Sequence, residues 1–347
     1  METNTNKPTP GTIMQIGTGF WASKILLSAV HFSLFTRLAE KNKMSAMEIK
    51  SAYNFKCIDR HVYDFLDTLT AFGFLKREGL LETAMYSNGA DTDFFLDKNK
   101  QTYIGGILEM MNNRLYQFWG DLEEGLLTGM AQNEIKNSDG NPFDELYKSP
   151  KRLSEFINAM SGIQMENFMS FSNMFDFTGY KTLVDIGGSG GLLSLMVAKN
   201  QPHMNCITFD LPPVEPFAIE NIQKFQLTDR VKTGSGDFLN DPLPKAEIVV
   251  MGNILHDWDE ERKLLLIKKA YDALPVGGSF VTIENIIDED RNKNVLGLMM
   301  SLNMLIETGK GFDYTFSDFN NWANQIGFKS TRIISFPGPA SACVAIK

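Results

Sequence analysis

Residues 183–191 read Leu-Val-Asp-Ile-Gly-Gly-Ser-Gly-Gly, and this stretch decides the fold class. A short apolar strand runs directly into a glycine-rich loop, and an apolar helix is predicted at 192–199. In an open α/β sheet, ligands bind beyond the carboxyl ends of the strands, where such a loop lies. Glycines let the backbone approach a ligand closely because no Cβ stands in the way. The stretch therefore predicts a ligand crevice at the end of a parallel strand.

The region beyond residue 181 alternates between strand and helix patterns, which is typical of a parallel sheet covered on both faces. Strands are predicted at 182–186, 205–209, 231–233, 248–251, 279–285, 329–335 and 342–346. The last two lie close enough in sequence to pair as a hairpin. This part of the chain is predicted to be an α/β domain with a seven-stranded, mostly parallel sheet.

The first third of the chain has the order of a winged helix. Helices are predicted at 20–40, 47–53 and 60–72, with two short extended pieces at 74–77 and 85–86. Ser45 and Asp59 are placed to cap the second and third helices, and Gly73 ends the third. Helix, turn, helix and a two-stranded wing together form the winged-helix pattern.

Winged helices often bind DNA, but the charge of this one argues against that function. The helix that would enter the groove carries Asp59, Asp64 and Asp67 against Arg60 alone, so phosphates would repel it. A dimerisation platform is the better interpretation. We therefore predict a winged-helix-like dimerisation domain at 1–100.

The middle of the chain, 101–180, is predicted to be a helical linker that lines the substrate, with a polar surface loop at 133–142. The remaining segment, 181–347, is the predicted cofactor-binding domain. The acceptor pocket should form between the helical region and the sheet. Its candidate walls are Phe118, Trp119, Phe156, Met160, Met300 and Met304. Methionine adapts its shape to flat aromatic ligands, although such residues at helical spacing are often ordinary core.

Composition limits the classes of partner and the cellular location that can be expected of the protein. The formal net charge of −9 over 347 residues argues against a nucleic-acid or anionic-membrane partner. Three cysteines, far apart and odd in number, give no disulfide framework, which favours a reducing, cytoplasmic location. The apolar stretch at 13–35 contains Gln15, Lys24 and His31, so it is predicted to be a buried or dimer-forming helix rather than a membrane span.

Three features after consecutive strands indicate a nucleoside cofactor. Asp210 ends the strand after the glycine loop, where it can accept hydrogen bonds from a ribose diol. Asp237 and Phe238 follow the third strand and are placed to bond and cover an adenine ring, although a plain loop there is an alternative. A dinucleotide fingerprint requires a third glycine or alanine where this chain has Leu193, which weakens the nicotinamide alternative.

The run Asn-Ile-Leu-His-Asp-Trp-Asp at 253–259, after Val-Val-Met-Gly at 249–252, resembles the catalytic signature of the small-molecule O-methyltransferases of plants and bacteria. That family includes the caffeic acid, isoflavone and hydroxyindole enzymes, and the resemblance covers nearly the whole chain. It implies a Rossmann-like class I methyltransferase domain, an N-terminal helical winged-helix domain, and a homodimer formed through the N-terminal helices.

The resemblance also implies the cofactor. This is S-adenosylmethionine, with S-adenosylhomocysteine as product and no metal. The residues expected to bind it are Asp185, Gly187, Gly188, Asp210, Leu211, Gly236, Asp237, Phe238, Gly252, Asn253 and Trp258. Plant members have a lysine where this chain has Gly252, which makes a plant phenylpropanoid acceptor less fitting.

The same resemblance assigns the catalytic roles. His256 is the expected general base, since an imidazole with an ordinary pKa of about 6.5 is largely neutral at working pH. Glu284 and Asp313 are expected to orient it, with Asp313 standing where the family has a glutamate. Asp257 is instead interpreted as the N-cap of the following helix, with Glu260 completing a capping box.

The main hypothesis is therefore an O-methyltransferase that acts on a phenolic or similar hydroxyl of a small aromatic metabolite. A second hypothesis keeps the fold and cofactor but assigns C-methylation or a non-methylating hydroxylase activity. A DNA-binding regulator and a nicotinamide dehydrogenase are the two remaining, less favoured alternatives.

Overall fold

The computed structural model describes residues 8–100, 102–136 and 149–347, so most of the predicted loop at 133–142 lies outside the described residues. The chain divides into two compact units, Met1–Leu115 and Tyr116–Lys347. The finer division into 1–100, 101–180 and 181–347 stays a prediction.

The first unit is a helical domain with a small antiparallel sheet. Its helices are α1 (Gly11–Gly17), α2 (Gly19–His31), α3 (Leu34–Lys41), α4 (Ala46–Tyr53), α5 (Asp59–Ala71), α6 (Ala90–Phe95) and α7 (Gly105–Met110), which continues as a π turn at Met111–Leu115. The strands β1 (Met44–Ser45), β2 (Leu75–Glu78) and β3 (Met85–Asn88) are arranged in the order β1-β3-β2. The predicted two-stranded wing is thus present, and β1 adds a third strand.

The predicted helix caps of this unit have different outcomes. Ser45 caps α4, where its hydroxyl accepts from Glu48 N and the Glu48 carboxylate accepts from Ser45 N at 2.7 Å. The prediction for Asp59 is wrong: α5 begins at Asp59 itself, and Ile58 occupies the N-cap position without a side-chain bond. The Asp59 carboxylate instead pairs with Lys50 at 2.5 Å, because that cation lies beside the helix start.

The apolar stretch at 13–35 covers most of α1, all of α2 and the start of α3, with breaks at Thr18 and at 32–33. Among the described residues, Gly11–His31 is long and apolar enough to cross a membrane by length and composition, a test that core helices and signal sequences also pass. Large apolar side chains here are exposed within the unit, among them Ile13 at 75% and Trp21 at 60%. Such an exposed apolar surface is typical of a protein–protein contact.

The second unit is the predicted α/β domain. Its strands are β4 (Thr182–Ile186), β5 (Asn205–Asp210), β6 (Val231–Ser235), β7 (Ile248–Gly252), β8 (Ser279–Glu284), β9 (Ser330–Ser335) and β10 (Ser341–Ile346). Its helices are α8 (Tyr116–Phe118), α9 (Leu122–Thr128), α10 (Pro150–Met174), α11 (Leu192–Asn200), α12 (Glu215–Lys224), α13 (Glu260–Ala273), α14 (Val295–Thr308) and α15 (Phe316–Ile326), with 3₁₀ turns at Trp119–Asp121 and Leu255–Asp257.

The seven strands form one sheet in the order β6-β5-β4-β7-β8-β10-β9, in which β10 is antiparallel to both neighbours. This confirms the predicted α/β fold and the terminal hairpin. Consecutive residues point to opposite faces, so Leu183 and Val184 enter two separate core clusters, and both are fully buried. Because β4, β5, β7 and β8 run parallel to one another, their carboxyl ends lie along one edge of the sheet.

Replacing Ser45 by alanine should lower the free energy of unfolding by about 1 kcal/mol, because α4 loses the hydroxyl that satisfies a free backbone N–H. Ser51→Ala is the matched control, since Ser51 is exposed in the same helix. Alanine should be neutral or slightly stabilising there. Chemical denaturation of both variants measures the difference, and equal midpoints would contradict the capping role.

Candidate active site

The glycine-rich loop after β4 has a backbone that few side chains tolerate. Gly187 and Gly191 have φ values of +68° and +79°, in the region that favours glycine. Gly188 is constrained by its surroundings, because a Cβ there would overlap the Thr208 hydroxyl and lie 2.8 Å from Asp185 Oδ2. The loop is therefore shaped for glycine by conformation at two positions and by close packing at the third.

Several buried polar atoms around this loop have no hydrogen-bond partner among the described residues. They are Asp185 Oδ2, Ser189 Oγ and Thr208 Oγ1. Burial and the nearby Asp210 carboxylate raise the pKa of Asp185 to about 8. Buried polar groups in native proteins are nearly always bonded, so this set fits a polar ligand that supplies the missing partners.

Asp210 ends β5 and ties the loop to its neighbour strand. Its Oδ2 accepts from Ser189 N at 2.8 Å, and its Oδ1 accepts from Leu211 N at 2.7 Å. Burial raises the pKa of Asp210, and these two backbone bonds oppose that rise. The predicted ribose-binding carboxylate is therefore held in place beside the glycine loop by backbone donors.

The third predicted cofactor element lies after β6. Asp237 closes its own turn by accepting from Leu239 N at 2.9 Å and from Asn240 Nδ2 at 2.6 Å. Phe238 meets Trp258 edge to face, with ring centroids 6.2 Å apart, and it also lies near Gly187. Among the described residues, the buried Trp258 indole N–H has no hydrogen-bond acceptor. The two aromatic rings therefore lie beside the glycine loop, and one of them has a donor free for a ligand.

His256 lies in the 3₁₀ turn after β7 and is only 4% exposed. Its Nδ1 is 3.4 Å from Asp313 Oδ1, and its Nε2 is 3.6 Å from Asp257 Oδ1. These distances are longer than good hydrogen bonds, so the contacts are mainly between charges. The structure therefore brings a carboxylate to each ring nitrogen.

Glu284, at the end of β8, forms hydrogen bonds with the backbone around His256 rather than with its imidazole ring. Its Oε1 accepts from Ile254 N at 3.1 Å and from His256 N at 3.2 Å. Within the described part of the chain its second oxygen, Oε2, is buried without a hydrogen-bond partner, and burial raises the pKa of the side chain. His256, Glu284 and Asp313, the predicted catalytic residues, thus lie together, and Glu284 accepts from the backbone of His256.

His256 lies in surroundings that favour its protonated form. Burial disfavours the imidazolium, but the carboxylates of Asp313, Asp257 and Glu284 outweigh burial and raise the pKa of His256 to about 10. The local concentration of negative charge stabilises the protonated ring. A largely neutral imidazole at working pH stays a prediction, and it requires a positive charge that opposes these carboxylates.

Asp257 differs from its predicted role. The N-cap of α13 is Asp259, which accepts from Arg262 N at 3.0 Å, so the N-cap prediction for Asp257 is wrong. The 3₁₀ turn ends at Asp257 and delays the helix by two residues, which leaves that carboxylate beside His256. Burial first, with help from the other carboxylates, raises the pKa of Asp257 to about 7.

The candidate acceptor-pocket residues fall on several elements. Trp119 donates its indole N–H to Asn303 Oδ1 at 2.9 Å, which places it against α14, the helix of Met300 and Met304. Met304 is buried and Met300 half-buried. The other candidates, Phe118, Phe156 and Met160, are half-buried on α8 and α10.

Helix α10 contributes contacts that the sequence pattern does not reveal. Ile157 Cγ2 lies 3.0 Å from where a Cβ of Gly190 would be, and the Phe168 ring lies 2.9 Å from where a Cβ of Gly252 would be. Phe168 therefore occupies the space that a side chain at 252 would need. The helix covers the edge of the sheet where Gly252 and Asn253 follow β7. In the sequence, Gly252 was the feature that could have indicated this close contact.

Family comparisons agree with this site. Residues 119–329 match the O-methyltransferase domain model, and residues 14–98 match the O-methyltransferase dimerisation domain model. The chain belongs to the O-methyltransferase family. It is 33% identical, over 100% of its length and 99% of the relative, to the tetracenomycin polyketide synthesis 8-O-methyltransferase of Streptomyces glaucescens.

Further relatives extend the comparison. The acetylserotonin O-methyltransferase of Macaca mulatta is 28% identical over 90% of each chain. The crystal structure of human N-acetylserotonin methyltransferase superposes with a TM-score of 0.89, at 24% identity, over 99% of each chain. The predicted family, enzyme class and fold are thereby confirmed, and the match at 14–98 agrees with the predicted N-terminal dimerisation domain.

Replacing Gly188 by alanine should lower the free energy of unfolding by ~1–3 kcal/mol, because the new methyl group overlaps Thr208 and crowds Asp185. Binding of S-adenosylhomocysteine, measured by calorimetry, should weaken in the same variant. Gly338→Ala is the control, since nothing lies within 4 Å of a Cβ there. Wild-type stability and binding in Gly188→Ala would contradict the close packing of the loop.

Proposed function

We propose that this enzyme transfers the methyl group of S-adenosylmethionine to a phenolic or similar hydroxyl of a small aromatic metabolite, with His256 as general base. The observation that carries this proposal is a buried imidazole faced by two carboxylates, at the carboxyl edge of the sheet that also holds the glycine loop. An acceptor oxygen must lose its proton during the transfer, and the imidazole is the group placed to take it.

The residues present fit the proposed cofactor. Asp185, Ser189 and Thr208 offer unsatisfied polar atoms, and Asp210 presents a fixed carboxylate for a ribose diol. We assign the adenine to the region of Asp237, Phe238 and Trp258, and contacts along the loop backbones to Gly187, Gly188, Leu211, Gly236, Gly252 and Asn253. When bound, S-adenosylmethionine supplies an activated methyl group on a positively charged sulfur.

The chain's own residues orient and tune the base. Asp313 and Asp257 face the two ring nitrogens, so the imidazole is held from both sides. Glu284 Oε1 accepts a hydrogen bond from the backbone N–H of His256 at 3.2 Å. Because a second cation near an imidazolium lowers its pKa, a bound sulfonium would bring the raised pKa of His256 back towards the working pH.

The acceptor class is proposed from the relatives and from the site. One relative is named for polyketide synthesis, and another, 28% identical over 96% of this chain, is the 3-hydroxy-5-methyl-1-naphthoate 3-O-methyltransferase of Streptomyces sahachiroi. Trp119, Met300 and Met304 offer apolar surface suited to a flat aromatic acceptor. We therefore favour a fused-ring phenol.

A nitrogen acceptor is the second candidate. The N,N-dimethyltransferase of Streptomyces rimosus is 28% identical over 92% of this chain. Incubation with labelled S-adenosylmethionine and matched pairs of naphthols and naphthylamines distinguishes the two acceptors. Methylation of the phenols alone supports the proposal, and methylation of the amines alone overturns it. Calorimetric binding of a nicotinamide dinucleotide but not of S-adenosylhomocysteine would overturn the cofactor assignment as well.

The assembly and setting are also proposals. We propose a homodimer formed through the exposed apolar side chains of α1 and α2, supported by the dimerisation-domain match at 14–98. A cytoplasmic location, without a nucleic-acid or membrane partner, stays a prediction from composition.

His256→Ala should lower kcat on an accepted phenol by about 10²–10⁴-fold, because the proton acceptor is lost. The affinity for S-adenosylhomocysteine, measured by calorimetry, should stay close to wild type. His203→Ala is the control, since that ring is exposed and its Nε2 lies 3.3 Å from the Phe177 carbonyl. Wild-type kcat in His256→Ala would remove His256 from the role of base.

Asp313→Asn should shift the acidic limb of the pH–kcat/KM profile towards lower pH by roughly 1–3 units. The sign follows because the Asp313 carboxylate stabilises the imidazolium, so its loss lowers the pKa of His256 and frees the base at lower pH. Asp272→Asn, on the exposed part of α13, is the control. The same acceptor is used throughout, so its own ionisation cancels. An unmoved limb would contradict this coupling.

A further inference from the structure

Lys263 is a charged side chain that the proposed reaction does not use. It lies on α13, one turn after the N-cap Asp259, and its exposure is 0%. Lysine is almost never fully buried unless it has a partner. Its Nζ donates to the Trp258 carbonyl and lies 3.5 Å from the centroid of the Phe312 ring.

The charges around Lys263 are those of the active site. The carboxylates that act on it are Glu284, Asp313, Asp257 and Asp259, which come from β8, the loop before α15, the 3₁₀ turn and the N-cap of α13. Burial lowers the pKa of Lys263 to about 8, and these carboxylates oppose that fall. The hydrogen bond that Lys263 Nζ donates goes to a carbonyl rather than to one of these carboxylates.

The two groups that Lys263 contacts adjoin the two carboxylates that face the base. Trp258 directly follows Asp257, and Phe312 directly precedes Asp313. Asp257 and Asp313 lie at opposite nitrogens of the His256 ring, 3.6 and 3.4 Å away. One buried ammonium thus joins two separate chain segments at the positions next to these carboxylates.

We propose that Lys263 is a positioning residue that fixes both segments, so that Asp257 and Asp313 hold the His256 imidazole in its productive orientation. This inference rests on the proposed role of His256 as base. Lys263 contacts Trp258 and Phe312 and acts through them. Removing one partner from a group of buried charges is destabilising, so activity is compared per folded enzyme to separate a contribution to activity from a contribution to folding.

Lys263→Met keeps the length and apolar stem of the side chain but removes the ammonium. We expect kcat to fall about 10- to 100-fold, since small misplacement of a catalytic group has effects of that size. The KM for the acceptor should stay within about twofold, because the contacts of Lys263 are with Trp258 and Phe312 rather than with the candidate pocket residues. The melting temperature should fall, because removing one cation leaves the buried carboxylates less compensated.

Two further variants sharpen the test. Lys268 lies on the exposed side of the same helix, where it pairs with Asp272. Lys268→Met should therefore leave kcat, KM and the melting temperature near wild type. Lys263→Gln keeps an N–H donor for the Trp258 carbonyl without the charge, and its kcat should lie between those of wild type and Lys263→Met. If the methionine variant does not fold, the glutamine variant decides through the same three measurements.

The outcomes separate the inference from the proposed function. Reduced kcat per folded enzyme with unchanged KM supports positioning. Wild-type kcat per folded enzyme in both Lys263 variants overturns it, whether or not the melting temperature falls. Absence of methyl transfer by the wild-type protein to any phenol or amine instead overturns the proposed function itself.

Discussion

A buried histidine ring with a carboxylate at each nitrogen is the constraint on which the active site depends. Asp257 and Asp313 hold the ring from two sides, and burial in the protein makes each charge costly unless another offsets it. The enclosed group contains three carboxylates, including Glu284, against two cations, His256 and Lys263. Burial is the main cause of the raised pKa of Asp257, and the carboxylates of Glu284 and Asp313 add to it. Such a site favours a ligand that brings a positive charge.

The sheet order makes this grouping possible. Because β4, β7 and β8 are adjacent and parallel, the glycine loop, the His256 turn and Glu284 all emerge from one edge. Helix α10, from the segment before the sheet, then covers that edge through Phe168 and Ile157. The glycine-rich loop and the His256 turn are consequently neighbours in space, although they are distant in sequence.

Sequence patterns predicted the elements of this arrangement better than its contacts. Buried parallel strands are continuous apolar runs, and a glycine loop with tight packing has a distinctive composition, so both were predictable. The two-residue strand β1 is too short to carry any periodicity. The capping errors at Asp59 and Asp257 arose because an aspartate near a helix start satisfies the same pattern whether or not its side chain reaches the backbone.

Burial of charge was the feature least predictable from sequence. Lys263 lies in a helix with five other charged residues between Glu260 and Lys269, where a lysine is ordinarily exposed, yet it faces the core. The pKa of His256 likewise depends on Asp313 and Glu284, which lie on other elements and approach the ring only through the fold. Local sequence carries propensity and pattern, whereas electrostatic environment is a property of the assembled tertiary structure.

The orientation of the His256 ring and its basicity require opposite things of the surrounding charges. The carboxylates that hold the imidazole also stabilise its protonated form, and a base is most effective when its pKa lies near the working pH. These carboxylates raise the pKa of His256 well above that of a free imidazole. A positive charge near the ring opposes that shift and offsets the carboxylates at the same time. The carboxylates that orient His256 therefore also make the site suited to a cationic cofactor.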